Sequence, residues 1–264
     1  MKKIYVLLFA LFTLNVANAQ WTIQTSISGY AYYLKSVCFT SNSIGYVVGY
    51  DYNLFVGIIL KTTNGGANWG KSTTGTDIWL YSVYFTDATT GYAVGGNGTI
   101  KKTTNGGVNW ATQTSGTPNW LYSIYFTDAN NGYMVGSNGT IIKTTNGGAN
   151  WVAETSPTAD DLNSVYFTDA NTGYAVGELG KIIKTTDGGV NWAAETSGTT
   201  SNLKSVCFID ANTGYAVGGV FLKTTNGGMN WTLQAGVNGN SVCFTDANTN
   251  GTNINKKVLY LTYN

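Results

Sequence analysis

Between residues 80 and 114, short alternating apolar runs are separated by small polar clusters. Residues 80–86 (LYSVYFT) alternate with aromatic and β-branched enrichment, which predicts a strand, A. Asp87 opens an Asx-type turn that Gly91 closes. Residues 91–95 predict strand B, and Gly96-Asn97-Gly98 a second tight turn. Residues 99–104 predict strand C. Asn105-Gly106-Gly107 is a third turn, where positive φ favours glycine. Residues 109–114 predict strand D. Nowhere after residue 19 does a 3.6-residue apolar period persist.

This unit recurs. KTTNGGANW ends at Trp69, and its variants end at Trp110, Trp151, Trp192 and Trp231, in steps of 41, 41, 41 and 39 residues. Gly-Tyr-x-Val-Gly begins at Gly45, Gly91, Gly132, Gly173 and Gly214; Ser-(Val/Ile)-x-Phe begins at Ser36, Ser82, Ser123, Ser164, Ser205 and Ser241. Four antiparallel strands in about 41 residues is the size of a propeller blade. A single blade cannot bury both faces, so blades stack about an axis, with the recurrent Trp as a wedge between sheets. The fold class is therefore all-β, a propeller of four-stranded antiparallel blades. Six blades are expected, five regular and one composite. Residues 21–26 resemble strand D, and the divergent last unit, 232–264, offers strands at 241–245 and 257–263. The N-terminal strand would complete that unit and hide two sheet edges. A truncated or frame-shifted seven-blade chain is the rival reading. The expected organisation is a signal peptide at 1–19 and one propeller domain at 20–264.

Composition narrows the chemistry. The net charge of +1 supplies no field for nucleic acid or anionic lipid. There is no His, and all fourteen cations are Lys, so imidazole bases and guanidinium clamps are excluded within the chain. Lys2 and Lys3, an apolar run at 4–16 and Ala17-Asn18-Ala19 read as a secretory signal cut after Ala19, giving a periplasmic, cell-surface or extracellular protein. That run is short for a membrane span, and no later segment is long enough. Cys38, Cys207 and Cys243 fill the position that Tyr84, Tyr125 and Tyr166 hold in other units, which reads as small nonpolar substitution. A Cys38–Cys243 disulfide would require first and last blades to meet.

The segment Thr-Thr-Asn-Gly-Gly-x-Asn-Trp resembles the Asp-box, or bacterial neuraminidase repeat. By that resemblance Asn64, Trp69, Asn105, Trp110, Asn146, Trp151, Asp187, Trp192, Asn226 and Trp231 are structural. Together with Gly-Tyr-x-Val-Gly and Ser-Val-x-Phe, the pattern over 21–248 is most similar to the photosystem II stability/assembly factor family of propellers. The resemblance implies a non-catalytic assembly factor that binds a membrane-protein precursor. An Arg-rich patch is implicated in that family's binding, and this chain has no Arg. Asp-box sialidases hold a substrate carboxylate with three Arg, which this chain cannot supply. A xyloglucanase-like glycoside hydrolase, needing two carboxylates across a cleft, is the enzyme alternative. A structural module or adhesin fragment without a specific ligand is the third reading.

Most of the thirteen acids follow the repeat. Asp87, Asp128, Asp169, Asp210 and Asp246 read as turn caps, and Glu154 and Glu195 as a solvated strand-D face. Asp51, Asp77, Asp160, Asp161 and Glu178 break the pattern. One carboxylate per turn is too few for Ca²⁺, so no metal and no cofactor is expected. The residue before the strand-A Leu is Tyr33, Trp79, Trp120, Asp161 and Asn202 in successive units. Strand direction places these D–A loops and the B–C loops on one rim, opposite the Asp-boxes. The long first B–C loop adds Tyr50, Tyr52 and Phe55. The expected ligand face comprises Tyr33, Trp79, Trp120, Asp161, Asn202 and Tyr52, for a protein or glycan. The competing structural reading is that Trp79 and Trp120 pack over blade ends.

Overall fold

A computed structural model describes residues 32–72, 76–234 and 238–242. It contains five antiparallel four-stranded sheets in chain order. Blade 1 comprises β1 (Tyr32–Phe39), β2 (Gly45–Asp51), β3 (Val56–Thr62) and β4 (Gly70–Ser72). Blade 2 comprises β5 (Leu80–Phe85), β6 (Gly91–Gly95), β7 (Ile100–Thr103) and β8 (Ala111–Gln113). Blade 3 comprises β9 (Leu121–Phe126), β10 (Gly132–Gly136), β11 (Ile141–Thr144) and β12 (Val152–Ala153). Blade 4 comprises β13 (Leu162–Phe167), β14 (Gly173–Gly177), β15 (Ile182–Thr185) and β16 (Ala193–Glu195). Blade 5 comprises β17 (Leu203–Phe208), β18 (Gly214–Gly218), β19 (Phe221–Thr224) and β20 (Thr232–Gln234). First strands of consecutive blades adjoin, so they form the inner wall of the disc.

The repeat spacing becomes packing between blades. Tyr92, Val94 and Ile100 of blade 2 meet Leu121, Ile124 and Phe126 of blade 3, with Trp151 completing the cluster. Two donors then fasten each blade to the next. Tyr92 Oη and Lys102 Nζ both donate to the Gly147 carbonyl, each at 2.7 Å. Equivalent pairs join Tyr46 and Lys61 to Gly106, Tyr133 and Lys143 to Gly188, and Tyr174 and Lys184 to Gly227. The Asp-box residues tie their own loop. Thr103 Oγ1 accepts from Gly107 N and donates to Asn105 Oδ1, which accepts from Asn109 N. Gly107 sits at φ 75°, and a Cβ there would lie 2.7 Å from Tyr46, so glycine is required twice over.

The first blade differs from the others. Leu34, Val37 and Phe39 are exposed, whereas their counterparts Leu80, Val83 and Phe85 are buried against blade 1. That face is where a sixth blade would pack. At the other end, Val242 N donates to Ser205 Oγ, just as Val206 N donates to Ser164 Oγ one blade earlier. Val242 is buried on blade 5, at the place of a sixth first-strand valine. The expected closing strands at 21–26 and 257–263, together with Cys243, Asp246 and the signal peptide expected at 1–19, lie outside the described residues.

Two local expectations change. In blade 2 the third and fourth strands are shorter than expected, Ile100–Thr103 and Ala111–Gln113 against 99–104 and 109–114. Each first strand also carries a β-bulge, between Leu80 and Ser82 in blade 2 and at the matching place in the other four.

Candidate functional site

The D–A and B–C turns do share one rim. Gly96 N donates to the Trp79 carbonyl, Ser137 N to that of Trp120, Glu178 N to that of Asp161 and Gly219 N to that of Asn202. The Asp-boxes pair instead with the A–B turns, as Gly106 N does with the Thr89 carbonyl. There Asp87 Oδ1 accepts from the Thr89 hydroxyl, Thr89 N and Thr90 N, which holds its carboxyl well below the usual range and identifies it as a cap.

On the upper rim, blades 1 to 3 carry a continuous run of rings. The first B–C hairpin extends because β2 and β3 are two or three residues longer than their counterparts. Asp51 shapes its tip. Its Oδ1 accepts from Asn53 N and Leu54 N, and its carbonyl accepts from Phe55 N. Asp51 is thus a buried loop cap, not a free acid. Phe55 and Tyr52 lie 5.7 Å apart, Tyr52 and Tyr33 5.5 Å, and Tyr33 stacks on Tyr50 at 5.1 Å. Tyr50 stacks on Trp79 at 4.2 Å, and Trp79 meets Trp120 at 6.4 Å and 69°. Trp120 stacks on Tyr81, which meets Tyr122 edge-on at 5.4 Å. Offset and edge-to-face pairs contribute about 0.5–1.5 kcal/mol each beyond burial, so the run is a firm platform. It also remains open: Trp120 is 40% exposed and Tyr33 44%. Between Trp79 and Trp120 lies a cleft of about 210 Å³, lined also by Asp77, Ile78, Tyr81, Gly96 and Asn97.

Asp161 and Asn202 occupy the same register position but do a different job. Asp161 Oδ1 accepts from Asn138 N, and Asn202 Oδ1 from Leu179 N. Both donors sit in left-handed turns of the preceding blade (φ 54° and 51°), so the two side chains clasp neighbouring blades. Asp161 Oδ2 also accepts from Tyr122 Oη at 3.2 Å. Burial first, and the Asp161 carboxylate second, hold the Tyr122 phenol far above its ordinary range. Burial pushes Tyr81 to about 12. Both phenols therefore stay neutral. Asp160 pairs with Lys181 at 3.3 Å, leaving Asp77 and Glu178 as the rim acids most open to a ligand. Glu154, placed on a solvated face by its repeat position, is half-buried, and desolvation raises its carboxyl. Among the described residues no cluster of His, Cys, Asp and Glu could hold a metal ion, and no helix is long and apolar enough to cross a membrane.

Tyr81 and Tyr122 were not readable as rim residues. They follow the strand-A Leu and look like ordinary members of an alternating strand. The bulge makes each the unpaired extra residue and redirects its ring.

The fold and repeat geometry define an Asp-box β-propeller. The family described as Photosynthesis system II assembly factor YCF48 matches at residues 113–194 and 151–254, and the chain belongs to it. Among solved structures, YCF48 from Cyanidioschyzon merolae is 15% identical, with TM-score 0.51 over 78% of this chain and 86% of that one. A structure titled YCF48 bound to D1 peptide is 19% identical, with TM-score 0.45 over 78% of this chain and 83% of that one. The Niastella koreensis GH74 enzyme is 16% identical, with TM-score 0.64 over 79% of this chain. This chain spans only 42% of that enzyme's length. Among curated proteins none matches.

Proposed function

We propose that this chain is a non-catalytic scaffold that holds a partner on the aromatic rim of blades 1 to 3. The observation that carries this reading is the unbroken, open run of rings from Phe55 to Tyr122. Membership of an assembly-factor family favours a protein partner over a glycan. With no Arg in the chain, recognition rests on aromatic faces and a few acids rather than a guanidinium patch. The export signal read at 1–19 would place the scaffold outside the cytoplasm, and an N-terminus at Gln20 in the mature protein tests that. Capture of binding partners by the protein and by its Trp79→Ala/Trp120→Ala variant tests the rim. Loss of a partner in the variant supports it; an unchanged set of partners refutes it.

A glycosidase is the second reading, favoured by the fold shared with the GH74 enzyme. It needs an acid and a base or nucleophile across a groove. Asp161 is engaged by Tyr122 and Asn138, and Asp160 by Lys181, so these two rim acids serve as clasps, and Asp77 and Glu178 are the pair such chemistry would have to use. Reducing-sugar release from xyloglucan, abolished by Glu178→Gln, would establish this second reading; no release is expected.

A further inference from the structure

We infer that the cleft between Trp79 and Trp120 seats the ammonium group of a lysine side chain presented by an extended segment of a partner protein. This inference rests on the rim being the ligand face. Three observations point to a cation. The two indoles meet at 69°, so they present a walled corner rather than a flat stacking surface. Tyr81, stacked on Trp120 at 5.7 Å, adds a third ring. Asp77 lines the same cleft, is exposed, and makes no ion pair among the described residues. Ring faces are negative, and several rings around one point with a carboxylate beside them select a positive alkyl group over a neutral one.

Size sets the occupant. About 210 Å³ is below the ~300–1,000 Å³ of small-molecule pockets, so the cleft takes one side chain. Gly96 keeps the floor low, since a Cβ there would stand 3.1 Å from Ile78 and 3.8 Å from Trp120. The other rings continue outward from the cleft and give the flanking peptide a surface to lie on.

The test uses the whole protein labelled with 5-fluorotryptophan, the Trp79 and Trp120 signals being assigned from Trp79→Phe and Trp120→Phe. Three capped Gly-X-Gly peptides are titrated, with X as lysine, trimethyl-lysine or norleucine. Lysine and trimethyl-lysine should shift both signals and leave the Asp-box indoles in place, with norleucine at least tenfold weaker. Asp77→Asn, a surface change that should not disturb folding, should weaken the lysine peptide several-fold and leave norleucine unaffected. Equal binding of norleucine, or no shift with lysine, overturns the cation. Larger shifts with phosphatidylcholine vesicles than with the peptide overturn the protein source. If the cation fails while Trp79→Ala/Trp120→Ala still loses its partner, the rim stands without it. If partner capture is also unchanged, both fall.

Discussion

The phenol of Tyr92 donates to the carbonyl of Gly147 in the next blade, 55 residues on, at 2.7 Å. Lys102 Nζ donates to the same buried oxygen. Each donor therefore covers for loss of the other. Tyr92→Phe alone should cost about 0.5–1.5 kcal/mol, and Lys102→Met a similar amount. Together they strand a buried carbonyl, so the double variant should lose more than the sum. A double-mutant cycle by urea unfolding checks this, and strict additivity would deny the shared latch.

Acid sensitivity should map onto the turn carboxylates. Asp187 accepts from Asn191 N and Nδ2, Val190 N and Thr185 Oγ1, which holds its carboxyl at about 2. Its folded value lies below the unfolded ~3.9, so its stabilisation is complete above that pH and fades as pH falls towards 2. Every other repeat has Asn at this place, and Asn105 holds the same knot. Asp187→Asn should thus fold normally at pH 7 and show a smaller drop in Tm between pH 7 and pH 3 than the parent. Asp87, Asp128 and Asp169 shift in the same direction and keep part of the acid response.

Lys101 breaks the core pattern. It is buried on β7 where blades 3 and 4 have Ile142 and Ile183, and it donates to Thr112 Oγ1 at 2.8 Å. Desolvation lowers its ammonium. The folded state therefore binds that proton less well than the unfolded chain, and stability rises with pH in the window just below the ordinary lysine value. Lys101→Ile should stabilise by about 1 kcal/mol and remove that alkaline gain. Thermal melts at pH 7 and pH 10 measure both.

Much of this architecture was legible because each signal was local and repeated. Glycines at fixed offsets marked the turns, and Gly91–Gly95 was read to the residue. The side on which Tyr33, Trp79 and Trp120 lie followed from strand direction alone. The roles of Asp161 and Asn202 did not, because their partners, Asn138 and Leu179, are 23 residues away in another blade. Tyr81 and Tyr122 were hidden by bulges, which shift the period by one without any change in composition.

The indoles fall into two groups with opposite expected behaviour. Trp151 is buried between Tyr92 and Phe126, both edge-on, so Trp151→Ala should cost about 3–5 kcal/mol and lower Tm sharply. Trp120 is exposed on the rim and held by ring pairs with Trp79, Tyr81 and Tyr122, so Trp120→Ala should lose about 1–2 kcal/mol, less than Trp151→Ala, while abolishing ligand capture. Calorimetry beside a binding measurement separates the two. Equal destabilisation would make Trp120 a wedge like the rest.

The most direct measurement places a photo-reactive amino acid that keeps the indole ring at position 120 on the aromatic rim, and separately at position 190 in an Asp-box loop on the opposite rim. Val190 is exposed and its loop is fixed by the Asp187 knot, so both probes are accessible without unfolding the disc. Cross-linking of a partner from position 120 and not from position 190 is the expected result. Cross-linking of that partner from position 190, or equally from both, would contradict the placement of the ligand on the rim of blades 1 to 3.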